Sequence, residues 1–133
     1  EELRDKVAES GVQANVWLPG FRSDAKDFLG AADFAMHAAL GEGFSLSIVE
    51  YMSAGLPVLV PDIPSVKQAI DHDLNGLVYG KDDVKQAAAH VKALYTDTNY
   101  RSRLGDNAKT KANTQYTLEN CTREFKAACQ QVF

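Results

Sequence analysis

Cysteine is scarce in this chain of 133 residues, and the two that occur, Cys121 and Cys129, cannot meet. Both fall on one predicted helix, about 12 Å apart along its axis, which is too far to bridge. They read as reduced core thiols, a pattern that suits the cytoplasm. There is no CxxC and no histidine pair at ligand spacing, so the sequence offers no metal site. Basic clusters are missing as well. No run of Lys or Arg exceeds two and the net charge is −4, which argues against a nucleic-acid partner. The longest apolar stretch, near Leu56–Val60, is far too short to span a bilayer, and the opening Glu1-Glu-Leu-Arg4 carries no signal-peptide character. Repeats, linkers and low-complexity tracts do not occur. What is present is ordinary for one globular domain: 45% hydrophobic and 24% charged residues.

Hydrophobic patterning divides the chain into two regimes. Residues 1–10 read as the end of an amphipathic helix with Leu3 and Val7 on one face. Asn15–Leu18 reads as a strand closed by Pro19-Gly20, with Trp17 in the core, and Ser23 is placed to cap a helix over Asp24–Ala31. The apolar run Asp33–Ala38 contains a short strand, Phe34–His37, as buried parallel strands do. A helix over 45–54 ends at Gly55, followed by a strand over Pro57–Val60. Ser65-Val-Lys-Gln68 has capping-box form and opens a short helix to about Asp71. A further strand covers Asn75–Tyr79. Beyond Gly80 only helical periodicity remains. Val84, Ala87, Ala88, Val91, Leu94 and Tyr95 mark one face, and a helix over Asn99–Ala112 turns Leu104 and Ala108 inward. A last helix, capped by Thr117, has Leu118, Cys121, Phe125, Ala128, Cys129 and Val132 facing in. Strands alternating with helices predict an α/β fold: a Rossmann-like parallel sheet with flanking helices and a helical C-terminus.

The chemistry concentrates in Glu42-Gly-Phe-Ser-Leu-Ser-Ile-Val-Glu50. A strand's C-terminal end, a loop and a helix start coincide there, the place where open α/β sheets bind ligands. Free N–H groups on Gly43, Phe44, Ser45 and Leu46 can face an anion, favoured by the helix dipole. Glu50 lies about a turn and a half inside the helix and leans back toward its N-terminus. Ionised carboxylates only accept hydrogen bonds, so the two glutamates suit hydroxyl groups rather than phosphate. The implied ligand has a phosphate with polyol on both sides, which describes a nucleotide-sugar.

Asp33-Phe-Ala-Met-His-Ala-Ala-Leu-Gly-Glu-Gly-Phe-Ser-Leu-Ser-Ile-Val-Glu-Tyr-Met-Ser-Ala-Gly-Leu-Pro-Val-Leu-Val60 resembles the C-terminal, donor-binding domain of GT-B retaining glycosyltransferases of the group 1 or GT4 type. The likeness continues through Asn75-Gly76-Leu77-Val78 and Tyr100–Leu104 and covers essentially the whole chain. It implies that Glu42, the candidate catalytic residue, lies against the donor sugar's hydroxyls. It further implies that the amides of Gly43, Phe44, Ser45 and Leu46 hold sugar and diphosphate, and that Glu50 binds ribose. Phe21 and Arg22 occupy the loop that meets the nucleotide base in this family, and His37 is a candidate donor contact. The resemblance implies a cytoplasmic enzyme, peripheral to the membrane at most, that needs no metal or other cofactor. Its partners are a nucleotide-sugar donor and an acceptor sugar, lipid or protein.

Departures from the family pattern shape three expectations. The family's domain normally begins with two further βα units, one carrying an Arg and a Lys for the diphosphate, and is preceded by an acceptor domain. Residues 1–133 therefore read as part of a donor-binding domain. Taken alone it is expected to transfer no sugar, to expose a sheet edge beside Phe34–His37 and to self-associate. Pro61-Asp62-Ile63-Pro64-Ser65 replaces a Gly-Gly turn, and Gln68 stands near a family Glu, which bears on donor choice. The alternatives are a segment of a GT-B sugar-nucleotide epimerase, or a non-catalytic nucleotide-sugar-binding module.

Overall fold

Three of the expected apolar runs become parallel strands, β1 (Ala35–Met36), β2 (Val58–Pro61) and β3 (Gly76–Tyr79), in the order β1-β2-β3. The computed structural model describes residues 2–132, the side chains of residues 131 and 132 excepted. Helix α1 (Glu2–Glu9) and two 3₁₀ segments precede the sheet. Helix α2 (Leu46–Ser53) joins β1 to β2, and α3 (Val84–Thr96), α4 (Thr98–Gln115) and α5 (Leu118–Val132) follow β3.

Strand β2 is central and wholly buried. Its register sets Val58 against Ala35 and Gly76, and Leu59 against Met36 and Leu77. Because side chains alternate across a sheet, β2 feeds two core layers. Val58 and Val60 pack with Ile48 and Met52 of α2 and Ala108 and Ala112 of α4. Leu59 packs on the other face with Leu77, Ala87, Leu94 and Leu104. Helices covering both faces explain why the strand sequence is continuously apolar.

Two features hold α4 against the rest. The turn after helix α2 carries Gly55, whose φ of +81° suits glycine. The carbonyl of Gly55 lies so close to Gly105 of α4 that a methyl group there would sit 2.2 Å from it. Farther along, α4 grips the loop entering β3. Lys111 pairs with Asp71 at 2.8 Å, Asn107 donates to the Leu74 carbonyl and the Tyr100 hydroxyl donates to Asp73 at 2.7 Å. Burial, with Asp73 beside it, pushes the Tyr100 phenol up to about 12.

Asn75 is the hub of that loop. It is buried, accepts from the Asp71 N–H at 2.7 Å and donates to the Ala69 carbonyl at 3.0 Å. Removing the amide leaves buried backbone groups unpaired, so Asn75→Ala is expected to destabilise the chain by about 1–2 kcal/mol. Urea unfolding checks this, and an unchanged midpoint would refute the role.

Several expectations need correction. Asn15–Leu18 is not a strand: Gln13–Asn15 form a 3₁₀ turn, and no strand among the described residues pairs with the segment. A strand exists only through a partner that takes its hydrogen bonds. Trp17 is accordingly 63% exposed rather than core. The segments after Ser23 and Ser65 are 3₁₀ (Ala25–Ala31 and Lys67–Ala69), and neither serine caps them. On α3, Ala87 and Leu94 are buried, but Val84, Ala88 and Tyr95 are exposed. On α5, Thr117 caps as expected, accepting from the Asn120 N–H. Its apolar stripe nonetheless faces outward, with Phe125 70% exposed and Cys121 exposed. The periodicity was real, but no described element covers that face. Cys129 is half-buried, so the thiols are not core groups; the side chain of Val132 lies outside the described ones. Strand β1 is the sheet's edge, as the sequence predicted for Phe34–His37.

Candidate functional site

The carboxyl end of β1 delivers the first site residue. The His37 N–H donates to the Leu59 carbonyl at 2.9 Å, so the sheet's hydrogen bonding holds its backbone one residue past the strand. Its imidazole Nε2 lies 3.0 Å from Glu42 Oε1 and 3.3 Å from Ser45 Oγ. The loop between them bends back so that Glu42, five residues on, returns to the strand end. A second loop meets it there: the Glu42 N–H donates to Ser65 Oγ at 3.4 Å, a long contact.

Helix α2 starts at this cluster. Ser45 is its N-cap residue, extended and 6% exposed, yet its side chain makes no capping hydrogen bond. The hydroxyl contacts His37 instead. The first-turn N–H groups of α2 therefore have no side-chain partner, and a helix N-terminus in that state attracts an anion. Gly43 fits the same picture. A Cβ there would meet nothing within 4 Å, so the protein's own packing does not demand glycine. A ligand approaching the backbone would. Phe44 packs its ring on Tyr116 at the end of α4, 5.6 Å between centroids, and anchors the loop from behind. Leu46 opens the helix with its side chain exposed.

Glu50 stands on the exposed side of α2, and Lys26 reaches it at 3.6 Å. Both partners are largely solvated, so the pair contributes at most about 1 kcal/mol. It is a single exposed contact between the segment before β1 and α2. That segment holds the two remaining predicted residues. Arg22 forms two hydrogen bonds to Asp24, at 2.8 and 2.5 Å, and lies over Trp17 and Phe28, whose rings meet at a tilt with centroids 5.2 Å apart. The guanidinium holds the Asp24 carboxyl below the usual carboxylate range. Phe21 is 96% exposed.

The structure thus brings His37, Glu42, Ser45 and the loop amides together, with Glu50 one and a half turns along α2. Arg22 belongs to a separate group with Trp17, Asp24 and Phe28, and Phe21 stands exposed beside it in the chain. Two residues escaped the sequence reading. Lys26 left no periodic signal, since its contact spans 24 positions. Ser65 did carry one, as the end of the segment Pro61–Ser65 that replaces a Gly-Gly turn, but its form suggested a helix cap. The cavities lie elsewhere. A cleft of about 730 Å³ is lined by Asp62, Lys67, Gln68 and His72, and an apolar one of about 230 Å³ by Met36, Pro61 and Tyr79. Neither touches Glu42 or Glu50, and the carboxylates with their uncapped helix, rather than cavity size, locate the site. Among the described residues no group of three His, Cys, Asp or Glu side chains is placed to hold a metal, and no helix is long and apolar enough to cross a membrane.

Residues 1–111 match the family model for glycosyl transferases group 1. The chain belongs to that family. Among its relatives is the lipopolysaccharide core biosynthesis mannosyltransferase LpsB of Rhizobium meliloti, 23% identical over 98% of this chain and 38% of its own length. A GDP-mannose:cellobiosyl-diphosphopolyprenol alpha-mannosyltransferase of Xanthomonas oryzae is 31% identical over 77% of the chain and 28% of its own length. Anabaena HepE, solved in complex with UDP, superposes with a TM-score of 0.90 at 22% identity, over 98% of this chain and 36% of HepE. At that identity the likeness is one of fold: this group 1 glycosyltransferase segment has the GT-B α/β architecture. The chain spans between about a quarter and two fifths of the curated relatives it matches.

Proposed function

We propose that this segment is the donor-binding part of a retaining, GT4-type glycosyltransferase. The enzyme transfers a hexosyl group from a nucleoside-diphosphate sugar to an acceptor hydroxyl, and residues 1–133 form part of its nucleotide-sugar-binding domain. Glu42 faces the sugar's hydroxyls, the amides of Gly43 to Leu46 take sugar and diphosphate, Glu50 takes the ribose, and Phe21 and Arg22 border the base. The observation that carries this reading is the α2 N-terminus. It lies between two carboxylates, its cap hydroxyl is engaged elsewhere, and Gly43 opens onto free space.

Transfer with retention needs an oxocarbenium-like sugar to be stabilised and a diphosphate to leave. Preorganised N–H dipoles serve the leaving group without metal. The acceptor, whether sugar, lipid or protein, binds to a part of the enzyme outside this segment. The enzyme works in the cytoplasm, and the segment alone transfers no sugar and self-associates through its open sheet edge.

Titration of the full-length protein with UDP-glucose and GDP-mannose, followed by calorimetry, tests the reading. The choice follows the ligands named for HepE and the Xanthomonas relative. One of the two is expected to bind, turnover is expected to survive EDTA, and Glu50→Gln should weaken the free nucleoside diphosphate by about 1–3 kcal/mol. Unchanged affinity in that variant would remove Glu50 from the ribose site.

A further inference from the structure

We infer that His37 is a positioning residue that keeps the donor site open, by orienting the Glu42 carboxylate and by drawing the Ser45 hydroxyl away from the α2 N-terminus. The inference rests on the donor-site reading above and adds a residue to it that acts through two others. Its basis is one ring nitrogen with two oxygen neighbours. Nε2 lies 3.0 Å from Glu42 Oε1 and 3.3 Å from Ser45 Oγ. An ionised carboxylate can only accept, so Nε2 must carry a hydrogen, which selects the Nε2–H form of the ring. That nitrogen then has no lone pair for the Ser45 hydroxyl. Ser45 Oγ is left to accept from Nε2–H, and its own proton turns away from the imidazole.

The same contact explains the vacant cap. Serine at an N-cap position ordinarily accepts from the N–H of the second or third helical residue, a stabilising bond of about 1 kcal/mol. Ser45 has the extended backbone of an N-cap residue but no such bond. With the hydroxyl held by His37, those N–H groups stay available to a diphosphate. The imidazole is itself firmly placed: its backbone is bonded to β2, and the side chain is only 15% exposed, against 30% for Glu42. His37 therefore trades helix capping for an anion site and fixes the adjacent carboxylate at once.

The test uses the full-length protein, UDP-glucose and GDP-mannose as donors, and the corresponding free diphosphates. His37→Leu is expected to lower kcat/KM for the accepted donor by about tenfold to a hundredfold, the usual cost of a misplaced reacting group. His37→Gln, whose amide N–H can replace Nε2–H, should recover to within about fivefold of wild type. In a Glu42→Ala, Ser45→Ala background His37→Leu should add nothing further. Nitrogen NMR should report Nε2–H for His37. A full additional loss in that background would mean that His37 touches the donor directly, and an Nδ1–H ring would contradict the hydrogen-bond assignment; either result overturns the inference. Wild-type kcat/KM in His37→Leu overturns it while leaving the donor site intact. Failure of the wild type to bind either donor or either diphosphate overturns the donor-site reading and this inference with it.

Discussion

Replacing Glu42 by Ala is expected to reduce turnover with the sugar donor by about a hundredfold to a thousandfold, while affinity for the free nucleoside diphosphate stays within about threefold. The asymmetry follows from where the carboxylate sits. Glu42 is held at the strand end by His37 and by the backbone contact to Ser65, in the loop before α2, whereas Glu50 lies inside the helix. In the proposed complex it meets only the sugar. A carboxylate beside sugar hydroxyls helps hold the ground state, but its charge is worth more as positive character develops at the anomeric carbon. An interaction that strengthens in the transition state appears in turnover rather than in binding. Steady-state kinetics together with calorimetry on the free diphosphate check this. Equal losses for donor and diphosphate would show that Glu42 does not distinguish sugar.

Gly105→Ala should unfold at lower urea, with a net loss of about 2 kcal/mol. Two effects oppose each other. Alanine is the better helix former by about 1 kcal/mol, and a surface glycine in α4 would gain from the change. Here the new methyl would stand 2.2 Å from the carbonyl oxygen of Gly55, with Pro57 at 3.4 Å behind it. A backbone carbonyl cannot rotate aside, so α4 must retreat from α2 and loosen the packing of Met52, Ala108 and Ala112. Overpacking of this kind costs about 1–3 kcal/mol, and the upper end applies because the obstacle is main chain. Gly30→Ala, where an added methyl meets nothing within 4 Å, is the control. A Gly105→Ala variant as stable as wild type would show that the helices yield more readily than the geometry implies.

The sheet and most helices were legible because burial on two faces leaves a continuous apolar run, as in Pro57–Val60, and burial on one face leaves a stripe, as in Ala87, Val91 and Leu94. The helix start between Glu42 and Glu50 was legible because the strand, loop and helix around it sit close together in sequence. The failures share a cause. Trp17 and the α5 stripe carry the right periodicity, but periodicity records a tendency to be covered and says nothing of what does the covering. His37 was visible as a residue near the loop, whereas its contacts with Glu42 and Ser45 depend on how the loop folds back. The Lys26–Glu50 and Ser65–Glu42 contacts join separate elements, and local pattern cannot announce them.

No residue between 2 and 44 is buried, and Ser45 is the first that is. The fully buried core thus lies downstream of the site loop, with Phe34, Ala35 and Ala39 packed against it only partly buried, while His37, Glu42, Lys26, Arg22 and Phe21 stand outside it. Substitutions at those positions are expected to cost little stability, since substitutions outside the core usually do. Over evolutionary time such a division lets the upstream third of the chain vary in the contacts of the proposed site while the downstream two thirds stay under packing constraint. A lineage could then diversify its specificity by drift in one stretch of about forty residues.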